Sequence, residues 1–239
     1  MQSFKVIICF FIVAIIAGFS CTKMDNSYKG FLKDGEIIYT GKADSLTAFS
    51  GKNRVKLRWL LVSDPKISKC IAFWNNKRDS LVVPVQKSAG ADVISVLIDN
   101  LPEDVYSFEV YTYDDKGHSS VKSEVTGVSY GDIYESSIFN RSINTISYSS
   151  DKKNVIIKWY GIAQQAVVVE VRYTDASGSQ IVKNFKALFN AAGAPLGFSN
   201  QDILSNYKYG STFSYRTGFL PTATAIDTFY TDYKDVVPL

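Results

Sequence analysis

Residues Asn53 to Leu61 alternate: Val55, Leu57 and Trp59 fall on one side, Arg54, Lys56 and Arg58 on the other. A period of two with apolar and basic faces describes a half-buried strand and excludes a helix there. One hundred residues later Val155, Ile157 and Trp159 repeat the same parity. A recurrence at that distance calls for two copies of one small β unit rather than a single large domain. Composition agrees, with 15 Tyr and 15 Phe against 6 Pro, since aromatic residues suit a pleated, half-buried surface. No long stretch repeats apolar residues at i, i+3, i+4 and i+7.

The remaining elements are read from runs and turns. Glu36 to Tyr39 is a short strand candidate. Ser63-Asp64-Pro65 ends the Asn53–Leu61 strand. Cys70 to Trp74 is a continuous apolar run, Asn75 to Asp79 a turn, and Leu81 to Gln86 the hairpin partner. Pro84 assigns that partner to a sheet edge, because proline cannot donate to a ladder. Val93 to Ile98, Tyr106 to Tyr113 and Val121 to Val128 complete about seven strands, the number a β-sandwich uses. In the second copy Ala166 to Tyr173, Ile181 to Phe185, Thr212 to Phe219 and Ile226 to Tyr233 read as strands. Leu188 to Asn206 is looser, with one short helix expected at Asn200 to Leu204. The expected boundaries are 35–131 for the first β-sandwich, 132–141 for a linker and 142–239 for the second.

The N-terminus carries an address. Lys5 precedes an apolar run from Val6 to Ala17, shorter than the roughly 20 residues a bilayer span requires. Small residues then lead to a cysteine, in Ala17-Gly18-Phe19-Ser20-Cys21. A positive start, a short apolar core and a small-residue cleavage site describe a signal peptide over 1–20. Cys21 sits where a lipoprotein is acylated, and 21–34 reads as a lipidated tether. Cys9 lies inside the signal, and Cys70 reads as a small buried hydrophobe. Lys23 and Asp25 weakly resemble a surface-export tag. The expected location is the outer membrane, on its periplasmic or cell-surface face.

Other features resemble known modules. Trp59 and Trp159, with Leu101 followed by Tyr106-x-Phe108-x-Val110, resemble the strand tryptophan and corner residues of fibronectin type III modules. The stretch from Gly35-Glu36-Ile-Ile-Tyr39 through Trp74-Asn75-Asn76 to Tyr130-Gly131 is similar to an uncharacterised Bacteroides-type lipoprotein family. Leu220-Pro221 and Ala225-Ile226-Asp227-Thr228-Phe229-Tyr230 are similar to C-terminal ends of lipoproteins beside glycan-uptake systems. The resemblance implies an all-β chain of two tandem fibronectin type III/immunoglobulin-like β-sandwich domains after the signal peptide. It implies a location and a fold, and no chemistry.

Catalytic signals are weak. His118 is the only histidine and comes after a turn, no nucleophile-elbow motif is present, and Asp114-Asp115 and Glu103-Asp104 fall in turns, where acids are expected. Asn75, Asn76 and Asp79 have oxygen ligands for calcium, but a hairpin turn accounts for them. No cofactor, metal or catalytic residue is expected. The 26 Lys and Arg nearly balance 23 Asp and Glu, so no nucleic-acid footprint is present. Trp59 and Trp159 share parity with core positions. Trp74, Asn75, Asn76 and Tyr111 remain as candidate ligand-binding residues, since sugar rings stack on aromatics beside amides. Tyr230 and Tyr233 are similar cases to Tyr111. The expected function is a non-catalytic binding or scaffold lipoprotein, accessory to glycan capture and uptake. The alternative is an adhesion or assembly protein whose β-sandwiches bind another protein.

Overall fold

A computed structural model describes residues 39–62, 64–86, 88–189 and 195–238. Cys21, the signal and tether segments, and all but the last residue of the Glu36–Tyr39 strand candidate lie outside them. The chain separates into two units at Tyr39/Thr40, and the strands among the described residues lie in the second, from Thr40 onward. No helix among the described residues is long and apolar enough to cross a membrane.

The first half of that unit holds β1 (Asp44–Gly51), β2 (Arg54–Leu61), β3 (Ile67–Trp74), β4 (Asp79–Pro84), β5 (Asp92–Asp99), β6 (Asp104–Asp114) and β7 (Ser123–Ser129). They form two antiparallel sheets, β1-β2-β5 and β4-β3-β6-β7. The inward parity of β2 buries Val55, Leu57, Trp59 and Leu61 against Cys70 and Ala72 of β3 and Phe108 and Val110 of β6. Burying each of these large side chains contributes about 1.5–3 kcal/mol. Leu101 is buried, and the Tyr106 hydroxyl donates to the Pro102 carbonyl at 2.9 Å, closing the corner expected from the sequence. Pro84 ends edge strand β4. Burial pushes the Cys70 thiol up to about 11, with the Trp59 indole opposing it.

The second half begins with a short helix, α1 (Asp132–Ser137). Then come β8 (Ile143–Tyr148), β9 (Val155–Trp159), β10 (Ala166–Thr174), β11 (Gln180–Lys186), β12 (Leu188–Phe189), β13 (Pro195–Gly197), β14 (Gln201–Leu204), β15 (Phe213–Phe219), β16 (Phe229–Tyr230) and β17 (Lys234–Val236). Sheet β14-β9-β8 faces sheet β11-β10-β15-β16, with β17 also paired to β15. Val155, Ile157 and Trp159 meet Val169, Val171, Tyr173, Phe213 and Tyr215 in a separate core.

Two expectations are corrected, and two strands that the pattern does not show are added. Asn200 to Leu204 contains no helix: β14 pairs with β9, Ile203 opposite Ile156, and Leu204 is buried. Four residues carry no periodicity of their own, so the partner strand decides. The strand at Asp44–Gly51 escapes a pattern reading because DSLTAFSG is half polar and has a bulge between Asp44 and Thr47. Strand β8 escapes it for the same reason: INTISY is half polar and is bulged between Ile143 and Thr145. The closing strand Ile226–Tyr233 is broken, because the Ile226 amide leaves its own sheet and donates to the Ser50 carbonyl at 2.8 Å.

That last bond belongs to a joint between the halves. Arg54 donates to Asp227 through Nε (2.8 Å) and Nη2 (2.5 Å), and the Lys52 amide donates to the same carboxylate at 2.9 Å. Arg54 holds the Asp227 carboxyl below its ordinary range. The ring of Phe229 stands edge-on to Tyr130 and Tyr134, with centroids 6.0 and 5.1 Å away. Glu103 accepts from the amides of Ile133 and Tyr134 at the start of α1, and Lys52 pairs with Glu135 at 2.7 Å.

Candidate functional site

Strand β3 carries Phe73 and Trp74 to its end, and the hairpin turn beyond it is backbone-strained. Asn75, Asn76 and Lys77 have φ of 51°, 55° and 63° in succession. Asparagine tolerates the left-handed region; lysine there costs about 1–2 kcal/mol. The turn is held by the Arg78 amide donating to the Asn75 carbonyl (3.2 Å) and by Asn75 Nδ2 donating to Asp79 (2.6 Å). Strained non-glycine backbone concentrates where a site imposes it.

Between this turn and the start of β6 lies a cleft of about 450 Å³. Phe73, Trp74, Asn75 and Asn76 form one side; Val105, Ser107, Glu109 and Glu124 form the other. Trp74 is half-buried, its ring centroid 6.4 Å from that of Phe108, so part of the indole belongs to the core and part to the cleft. Trp74, Asn75 and Asn76 are therefore brought together. Tyr111 is not on the cleft wall. It lies beyond Glu109 with its ring edge-on to Phe73 at 5.8 Å, and its hydroxyl accepts from Lys77 (2.8 Å) and donates to Glu109 (2.9 Å). It supports the site and is not a free platform.

Glu109 and Glu124 are not among the sequence candidates. They stand opposite each other across β6 and β7. Tyr111 and Lys77 hold the Glu109 carboxyl below its ordinary value; Lys122 and Ser107 do the same for Glu124. Lys122 pairs with Glu124 at 2.8 Å and with Glu109 at 3.6 Å. Glycoside hydrolysis needs one carboxyl of raised pKa as the acid, whereas both of these are shifted the other way. The cleft offers an indole edge, two amides, a hydroxyl, the Lys77 and Arg78 cations and the Glu109 and Glu124 carboxylates, a set suited to hydrogen-bonding a polar ligand. The outward parity of Ser107, Glu109 and Tyr111 on β6 is the signal that could find them.

The other sequence candidates resolve as structure. His118 Nδ1 lies 2.7 Å from Asp114, whose carboxylate also accepts from the amides of Lys116 and His118; this is a turn cap. Trp59 and Trp159 are buried. Tyr230 and Tyr233 are covered by guanidinium groups, Arg216 and Arg172 lying 4.0 Å from their respective ring centroids. Among the described residues no group of three or more His, Cys, Asp or Glu is placed to hold a metal ion.

Residues 21–229 match the family model DUF4998, described as a domain of unknown function. No curated protein matches the chain. Among solved structures, the chain is similar in fold to the FN1–FN3 domains of chicken CNTN1, at 12% identity, covering 85% of this chain and 69% of that one, with a TM-score of 0.41. A two fibronectin type III domain segment from chicken tenascin gives 12% identity, 82% and 97% coverage and a TM-score of 0.32. Dimeric latent PorU from Porphyromonas gingivalis gives 12% identity, 84% and 20% coverage and a TM-score of 0.29.

Proposed function

This chain belongs to the DUF4998 family, and we propose that it is a non-catalytic binding lipoprotein of a Bacteroides-type outer membrane, an accessory to glycan capture. The observation that carries the reading is the cleft where Trp74, Asn75 and Asn76 face Ser107 and Glu124. An apolar ring edge supplies contact to a sugar's C–H face, and the amides and carboxylates supply partners for its hydroxyls. Three successive left-handed residues hold the two amides in place before a ligand arrives, which lowers the ordering cost of binding. Anchoring rests on Lys5, the Val6–Ala17 run and the small residues before Cys21. Acylation there tethers the sandwiches to the membrane on its periplasmic or cell-surface face.

The test is a broad polysaccharide and oligosaccharide array probed with the folded protein, followed by calorimetric titration of the best hit. Binding is expected to fall about tenfold in Asn76→Gly, the loss of one or two hydrogen bonds, with little change in Tm because the side chain is exposed and glycine adopts the φ of 55° without strain. An array without hits on protein shown to be folded sinks the glycan reading. Membrane attachment is checked separately: Cys21→Ala is expected to leave the detergent phase, and a variant that still partitions with membranes overturns acylation.

A further inference from the structure

A free sheet edge is a template for another strand, and proteins normally blunt it with a short length, proline, lysine or a bulge. Most edges here are blunted. Strand β4 ends in Pro84, β11 carries Lys183 and Lys186, β1 and β8 are bulged, β14 is four residues long, and β7 carries Glu124 beside β1. Strand β5 differs. It runs eight residues in unbroken register with β2, and Val93 to Ile98 contains no charge, proline or glycine. Among the described residues β5 pairs on one side only. Its outward side chains are Val93, Ser95 and Leu97, with Val93 55% and Leu97 37% exposed.

We infer that β5 is a self-association edge, pairing antiparallel with β5 of a second copy about a twofold axis at Ser95. The register is set by the side-chain pattern. Outward residues must meet outward residues, and a twofold axis at Ser95 sets Val93 against Leu97 of the other copy twice. Ile94 then meets Val96 on the inner face, continuing the apolar layer these two already contribute to the core. Moving the axis one residue either way sets Val93 against Asp99 or Ser95 instead, so apolar pairing selects one register. Within Val93–Ile98 no like charges face each other. Lys56 and Arg58, opposite Leu97 and Ser95 on β2, lie three strand spacings from their symmetry mates, about 14 Å, beyond a physiological Debye length. The same register requires of a foreign strand a matching uncharged pattern, which a second copy carries by construction. The interface is independent of the glycan cleft on the β3–β4 turn.

The experiment uses the full chain in detergent. Sedimentation equilibrium is expected to show a reversible dimer, weakened about tenfold or more in Val93→Lys/Leu97→Lys, where like charges approach across the edge. Both positions are exposed, so Tm should hold at concentrations where the parent is monomeric. Because Ser95 faces its own mate, Ser95→Cys under mild oxidation should give a disulfide joining position 95 of two copies, mapped by peptide mass spectrometry. A chain that sediments as a monomer throughout the micromolar to sub-millimolar range, with no 95–95 disulfide, overturns the proposal and leaves the edge to an unlike partner. A dimer that ignores the double lysine variant overturns it too.

Discussion

At the scale of single residues, Asp227 combines several contacts between the sandwiches with a titratable group. It accepts from Arg54 twice and from the Lys52 amide once, and its pKa is lowered, chiefly by Arg54. The sign comes from linkage. A carboxyl that binds its proton less tightly when folded stabilises the fold above its unfolded pKa of about 3.9, and that stability is lost as pH falls through the depressed folded value. Asp227→Asn is therefore expected to cost about 1 kcal/mol near pH 7, a figure kept small because the Arg54 side chain is 37% exposed. Urea melts from pH 7 down to pH 2 should show the variant and the parent converging at the acid end. A constant difference across that range contradicts the assignment. The sequence displays both residues, but they stand 173 positions apart, and nothing local pairs them.

At the scale of elements, the β3–β4 hairpin shows what patterning can and cannot give. The apolar run Cys70–Trp74, the Asn-rich turn and Pro84 at the edge are legible, because strand period, turn chemistry and proline's missing donor are local properties. The three left-handed residues are less legible: Asn75 and Asn76 announce themselves, Lys77 does not. Replacing Lys77 by Gly and by Ala removes the same ammonium and its ion pair with Glu109. The difference between the two variants isolates the backbone. Gly is expected to be about 1 kcal/mol more stable than Ala at this φ of 63°, read as a shift in urea midpoint at constant m-value. Equal midpoints would show that the turn is not strained. Strand β14 carries the opposite lesson, since Gln201–Leu204 becomes a strand through its ladder with β9, a partner far upstream in the chain.

At the scale of the whole molecule, the joint ties the two sandwiches together. Phe229 is 1% exposed and is surrounded by Tyr130 and Tyr134 as well as by its own sheet. Gly51 admits the segment that leads to it, for a Cβ there would lie 2.8 Å from Ile226 and 2.5 Å from the Asp227 carboxylate. Truncating a buried phenylalanine costs about 3–5 kcal/mol. Calorimetry is expected to show one transition for the parent and two for Phe229→Ala, as the halves lose their coupling; a variant that melts in one lowered transition would show that Phe229 serves only its own core. The family match to residues 21–229 spans both halves and ends at this residue. The sequence by itself determined the all-β class, the inward parity of Val55-Leu57-Trp59 and of its copy at 155–159, the corner at Leu101 and Tyr106, and the cluster Trp74-Asn75-Asn76. These depend on periodicity and on residue chemistry within a few positions of each other. Tertiary structure alone decided that Glu109 and Glu124 share the cleft, that Tyr111 supports it from behind, that β5 is the unblunted edge, and that Asp227 reaches Arg54. Each is a contact across strands or sandwiches, and chain separation hides such contacts until the sheets have set their order and register.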